Sequence, residues 1–97
     1  MPTYITLVNW TDQGIKEVKN SADRFDAFKQ AAEQLGCKVK DVYLVTGEYD
    51  LIVVVEGPDA ETAVKLSLAT SSKGSVRTKT LRAFTEAEYR GIIAGLG

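Results

Sequence analysis

The sequence predicts an α+β domain. It reads as a ferredoxin-like, split-βαβ fold with an added C-terminal helix, two copies of which form a dimeric α/β barrel. Three observations lead there. Apolar residues alternate, or run continuously, in strand-length segments that are separated by helix-period segments. The order is strand, helix, strand, strand, helix, strand, helix. Right-handed crossovers then put both main helices on one face of a four-stranded antiparallel sheet. Finally, Leu51-Ile52-Val53-Val54-Val55 is apolar on both faces of its strand, so the face away from the helices also needs a cover.

Each element has a local reason. Tyr4 to Trp10 is rich in β-branched and aromatic residues, with Ile5 and Leu7 on one side and Tyr4, Thr6, Val8 and Trp10 on the other. Thr11-Asp12-Gln13-Gly14 breaks the pattern, and Thr11 caps a short helical turn holding Ile15 and Val18. Ser21 is the expected N-cap of a longer helix whose stripe is Phe25, Phe28, Ala32 and Leu35. Lys29 and Glu33 pair on its wet side, and Gly36 ends it. Val39 to Thr46 and Leu51 to Glu56 make an antiparallel hairpin about a short turn at Gly47-Glu48. Asp59 caps a helix whose inner face is Ala60, Ala63, Val64, Ser67 and Leu68, with Leu66 and Ala69 widening the apolar surface. Thr70 to Gly74 is a polar loop. Val76 to Ala83 is a strand whose Arg77, Lys79 and Arg82 suit an edge. Thr85 and Glu88 form a capping box before Tyr89, Ile92, Ile93 and Leu96, with Phe84 and Tyr89 at the staple positions. Gly91 and Gly95 weaken this last helix, so it needs something to dock on.

Composition narrows the function classes. The chain has 97 residues, 44% hydrophobic and 26% charged, which is one domain over 1–97 and too little for two cores. Its 12 basic and 13 acidic side chains leave a net charge of −1, against the dense basic footprint that nucleic-acid binding needs. It has no His, hence neither the commonest transition-metal ligand nor the usual general base near neutral pH. Cys37 is the only cysteine, so no disulfide framework or cysteine metal cluster is expected, and its reading is a small structural residue after a helix. No metal or cofactor is expected. The longest apolar run is too short to span a bilayer, and Met1-Pro2-Thr3-Tyr4 lacks the features of a signal peptide. A cytoplasmic protein without a membrane partner is the expectation.

Assembly follows from the doubly apolar sheet. The second strand carries Val42 and Leu44 on one face and Tyr43 and Val45 on the other, and the third strand is apolar on both. A patch of this size is unusual on a monomer. Two chains stacking sheet on sheet would cover it, with the terminal helix at the rim or across the partner. The alternative is a monomer whose own terminal helix covers the sheet.

Three stretches carry a family resemblance. Asn9-Trp10-Thr11-Asp12-Gln13-Gly14, Gly47-Glu48-Tyr49-Asp50 and Arg77-Thr78-Lys79-Thr80-Leu81-Arg82-Ala83-Phe84 together resemble the GYD family of small proteins over essentially the whole chain. More loosely, the Gly-x-Tyr-Asp turn before an apolar strand resembles the effector-binding domain of Lrp/AsnC regulators, without room for their helix-turn-helix. The resemblance implies a ferredoxin-like dimeric α/β barrel and little about activity.

The ligand-binding candidates are Asn9, Trp10, Asp12, Tyr49, Asp50 and Arg82; no catalytic set is recognisable. The end of the first strand lies beside the start of the third, which brings Asn9, Trp10, Tyr49 and Asp50 to one end of the sheet, and aromatic walls with a few polar groups suit a small organic ligand. Structural roles stand beside this reading. Asp50 can bind turn backbone N–H groups, Trp10 can anchor an interface, and Arg82 can ion-pair. The leading function is a homo-oligomeric module, a homodimer or larger, that binds a small ligand or a partner protein without catalysis. The alternative is a cofactor-independent, dimeric-barrel oxygenase-like enzyme on an aromatic or quinol substrate held between helices and sheet. A third reading is a subunit that only builds rings, through Leu66 and the exposed edge.

Overall fold

The computed structural model describes residues 1–97. The elements are β1 (Thr3–Trp10), α1 (Asp12–Lys16), a 3-10 turn at Val18–Asn20, α2 (Ser21–Gln34), β2 (Lys38–Leu44), β3 (Leu51–Glu56), α3 (Ala60–Ser71), β4 (Val76–Ala83) and α4 (Glu86–Ala94). The four strands form one antiparallel sheet in the order β2-β3-β1-β4, the ferredoxin-like arrangement expected. The charged strand β4 is an edge. β3 and β4 have the limits that their residue patterns predict.

Alternation along the strands divides the sheet into two faces. Tyr4, Thr6 and Val8 of β1 and Val53 and Val55 of β3 are buried beneath α2 and α3, against Ala32 and Leu66. The opposite face carries the rows Tyr43–Ile52–Leu7–Lys79 and Asp41–Val54–Ile5–Leu81, read across β2, β3, β1 and β4. Its centre is apolar and its two edges carry polar or half-exposed side chains. No helix of the chain lies over it. Tyr43 is 56% exposed and Leu81 50%.

Several local expectations shift. Asn20, not Ser21, is the N-cap of α2, because the 3-10 turn runs straight into the helix and Ser21 already has helical dihedrals. Lys29 pairs with Asp26 at 3.6 Å rather than with Glu33. Both groups are exposed, so the pair adds little stability. β2 ends at Leu44, two residues short of Thr46, because Val45 N–H turns to donate to the Asp50 carbonyl at 2.9 Å and closes a longer loop over Val45–Asp50. Gly47 takes φ +101° in that loop, a backbone state that favours glycine. α3 extends through Thr70 and Ser71, where a polar loop is expected from the sequence. Thr70 Oγ1 donates to the Leu66 carbonyl at 2.8 Å, and Ser71 meets Thr78 at 3.0 Å. Its inner face is also rotated from the expected one. Ala63 and Leu66 are buried, Ser67 faces Thr80, and Val64 and Leu68 are turned out. With Leu66 in the core, it cannot serve as a ring-building contact.

α4 stands away from the layers. Its capping box forms as predicted: Thr85 Oγ1 accepts from Glu88 N–H at 3.2 Å, and the Glu88 carboxylate accepts from Thr85 N–H at 2.9 Å. Arg82 braces the same junction. Its guanidinium lies 4.3 Å from the Phe84 ring centroid and 3.9 Å from Glu88, and it donates to the Thr3 and Ala83 carbonyls. Beyond that brace, α4 buries none of its residues. Ile92 and Ile93 are about half exposed, and Leu96 just beyond the helix is more so. The chain extends over 52 × 31 × 17 Å, and its radius of gyration of 14.5 Å exceeds the ~13 Å typical of a compact domain of this length. The monomer alternative, with this helix over the sheet, is therefore not what the chain adopts.

α1 is tied to the start of β4. Thr11 Oγ1 caps it by accepting from Gly14 N–H at 3.1 Å and donates to the Gly74 carbonyl at 2.6 Å, and Thr11 N–H donates to the Ser75 carbonyl at 3.0 Å. Gly14 sits so close to that strand that a Cβ there would lie 1.9 Å from the Ser75 oxygen. Gly14→Ala must push the two backbones apart. The expected loss is about 2 kcal/mol, read as a lower melting temperature with the oligomeric state unchanged.

Asp59 caps α3, with Oδ1 accepting from Thr62 N–H at 2.8 Å, and that hydrogen bond holds its carboxyl below the usual carboxylate range. A lowered folded-state pKa gives stability that is present above the unfolded pKa and lost as pH falls through the folded one. Asp59→Asn keeps the cap without the titration, so its melting temperature is expected to fall less steeply on acidification than that of the parent, as thermal melts across the acid range will measure.

Candidate functional site

α2 and α3 diverge over the end of the sheet where β1 finishes, leaving a partly open cleft of about 150 Å³ between helices and sheet. The sheet floor is Thr6, Val8, Trp10, Leu51, Val53 and Val76. Phe25, Phe28 and Ala31 wall one side from α2, and Ser67 and Thr70 the other from α3. The two phenylalanine rings stack with centroids 5.8 Å apart, which stiffens that wall. The small residues on α3 keep the space between the helices open.

Several hydroxyls along the cleft are already partnered. Ser67 Oγ and Thr80 Oγ1 lie 2.7 Å apart, Thr80 continues to Thr6 at 3.4 Å, and no buried side-chain polar atom lacks a hydrogen bond. The charged groups are different. Arg24 lines the cleft from α2, and Lys73 from the turn after α3. Arg24 Nη1 donates to the Glu17 carbonyl at 2.9 Å and Nη2 to the Gly14 carbonyl at 3.3 Å, so α1 orients the guanidinium while leaving other N–H groups free. Neither cation pairs with a carboxylate, and no acidic residue lines the cleft.

Among the six candidates from the sequence, only Trp10 lines this cleft. Asn9, its neighbour in the strand, points to the other face of the sheet, in register with Arg77. Tyr49 belongs to that open face as well, with its ring 5.9 Å from Lys79 Nζ. The expected cluster at one end of the sheet thus exists but is divided by the sheet itself. Asp50 works on backbone. Its Oδ2 accepts from Trp10 N–H at 2.9 Å and its N–H donates to the Val8 carbonyl at 2.9 Å, so it continues the β1–β3 ladder past the last strand pair. Asp12 is exposed at the start of α1. Arg82 is at the far end of the sheet, opposite Tyr4 in register, and serves the α4 junction.

The residues that sequence reasoning missed are Arg24 and Lys73. Arg24 reads as part of a wet helix face, and only the return of α1 against β4 aims it into the cleft. The one usable signal is the pairing of a short capped helix with a nearby basic residue. Cys37 is buried in the core beside Gly57, and burial, then the Asp59 carboxylate, pushes its thiol pKa up, away from the thiolate form. No three His, Cys, Asp or Glu side chains converge into a set that could hold a metal ion. No helix is long and apolar enough to cross a membrane.

Comparison with known proteins places this geometry. A family model described as the GYD domain matches residues 4–93. A Thermus thermophilus protein described as a glutamine synthetase and cystathionine beta-lyase binding protein is 38% identical over 89 residues, 91% of this chain and 94% of its own length. A solved protein from Thermus thermophilus superposes with a TM-score of 0.55 at 30% identity, over 88% of this chain and 95% of that one. The feast or famine regulatory protein from M. tuberculosis, solved with L-methionine, gives a TM-score of 0.66 at 15% identity, over 88% of this chain and 51% of that one, a likeness of fold alone. The chain belongs to the GYD domain family.

Proposed function

We propose that this protein is a homo-oligomeric binding module without catalysis, whose sheets stack in pairs to make a dimeric α/β barrel and whose assembled form binds metabolic enzymes. The observation that carries the assembly is the open sheet face. Ile5, Leu7, Ile52 and Val54, continued by Leu81, form an apolar surface flanked by Tyr43, Lys79 and Asp41, the apolar-core, polar-rim pattern of an interface. α4, fixed only at its first turn, offers Ile92 and Ile93 to the same partner. Support for the binding role comes from the 38% identical relative, described as a binding protein for glutamine synthetase and cystathionine beta-lyase, whose length this chain nearly spans.

Light scattering after gel filtration at micromolar concentration is expected to give at least twice the 10.6 kDa chain mass. Val54→Lys, a charge at the centre of the open face, is expected to give a folded monomer by the same measurement. A monodisperse parent monomer would overturn the stacking. Surface plasmon resonance against purified glutamine synthetase and cystathionine beta-lyase is expected to show saturable binding to at least one of them, weakened in Val54→Lys. Binding to neither removes the proposed partner class.

A further inference from the structure

We infer that the helix–sheet cleft is a binding site for a small hydrophobic carboxylate, an aromatic or branched aliphatic acid without an amino group. This goes beyond enzyme binding, and it uses the covered face of the sheet rather than the open one.

Three properties of the cleft set the ligand class. The first is size and lining. About 150 Å³ walled by Phe25, Phe28, Trp10, Val8 and Val53 is room for one ring or one branched chain, since an apolar cavity of roughly this volume takes up benzene. Edge and face contacts from three aromatic side chains favour a flat apolar body.

Charge is the second. The chain as a whole is almost neutral, at 12 basic and 13 acidic side chains, yet the cleft is lined by Arg24 and Lys73 with no acidic residue. Both cations lack a carboxylate partner within the chain. Arg24 is also pre-oriented by the Glu17 and Gly14 carbonyls, which lowers the entropy lost when it takes up an anion. A ligand carboxylate supplies what both lack.

The third is the inner hydroxyls. Ser67, Thr80 and Thr6 are hydrogen-bonded to one another, so a polar group on the ligand beside them would compete with bonds already made. Polar character therefore belongs at one end of the ligand only. This also excludes an amino acid. Its α-ammonium would lie beside its carboxylate, next to Arg24 and Lys73 and with no acidic side chain to pair with, and like charges at that range repel.

Trp10 is the only tryptophan and it lines the cleft, so its emission reports occupancy directly. The test is titration of the full chain with 3-phenylpropionate, 3-phenylpropanamide and phenylalanine, by calorimetry and by Trp10 emission together. The acid is expected to bind saturably and to change Trp10 emission. The amide and the amino acid should each bind at least about tenfold more weakly, the scale of losing or opposing one charge interaction. Lys73→Gln, an exposed change that leaves the hydrogen bonds of Arg24 intact, is expected to weaken the acid severalfold at unchanged melting temperature. Arg24→Gln should weaken it further. Absence of saturable binding by the acid overturns the inference. So does equal or tighter binding of the amide or phenylalanine, binding without a response from Trp10, or a Lys73→Gln protein that binds as well as the parent. Oligomer mass and enzyme binding are read separately, so failure here leaves the proposed module standing, and the reverse holds too.

Discussion

A four-stranded sheet with apolar side chains on both faces must have both faces covered, and this chain has a helix layer for only one. α2 and α3 bury Tyr4, Thr6, Val8, Val53 and Val55 from one side. On the other side the alternate residues Ile5, Leu7, Ile52 and Val54 have no intrachain cover. The 17 Å thickness along the shortest axis is that of one sheet and one helix layer, so the molecule is a half-sandwich. Burial within the monomer is correspondingly thin. Only 12 of 97 residues are buried, and no large side chain is wholly enclosed, which leaves stability resting on packing that a second sheet would complete.

The same thinness produces the cleft. α2 packs toward the β2 side through Ala32, and α3 toward β4 through Ala63, Leu66 and the Ser67–Thr80 contact. A closed core would need larger residues where α3 has Ser67 and Thr70. With hydroxyls there, Ser67 bonded to Thr80 and Thr70 to the Leu66 carbonyl, the helices separate over the end of β1 and the floor at Trp10 stays accessible. α1 then fixes one edge of the opening. Its capping residue Thr11 is bound to both Gly74 and Ser75, and its carbonyls hold Arg24 in place. A five-residue helix too short to be stable alone thus positions a guanidinium, because its N-cap is fastened to the segment that leads into β4.

How far the sequence alone reveals this depends on the range of the interactions. Strands are legible because alternation is local. β3 and β4 fall where their patterns put them, and the Thr85–Glu88 box starts α4 as its spacing requires. The inner face of α3 is misread for a physical reason. Ala63, Val64, Leu66, Leu68 and Ala69 wrap apolar surface around most of that helix, so periodicity does not single out one stripe, and the choice of Leu66 over Val64 and Leu68 is made by the sheet beneath. Trp10 and Asn9 are correctly brought near Tyr49 and Asp50, but strand alternation also separates Trp10 from Asn9 across the sheet, and the loop holding Tyr49 then follows the open side. The roles of Arg24 and Lys73 depend on contacts between segments distant in the chain, Gly14 with Ser75 above all, and no local pattern encodes those.

The two faces have separate constituencies of residues, and this gives the proposed functions their independence. Arg82, which reads from the sequence as an ion-pair former or a ligand contact, lies about six strand positions from Trp10 and is occupied by Glu88, Phe84 and two backbone carbonyls. It locks the direction in which α4 leaves the sheet. A nine-residue helix containing Gly91 has little stability of its own, and the Arg82 brace with the capping box secures only its first turn. The remainder buries none of its side chains within the monomer, at the end of the sheet away from the cleft. The proposed assembly would draw on Ile5, Leu7, Ile52, Val54 and α4, whereas the proposed ligand capture would draw on Trp10, Arg24, Phe25 and Lys73. Since side chains on alternate strand positions never share a face, the sheet can serve as the floor of a binding cleft and as half of an interface without either set of residues compromising the other.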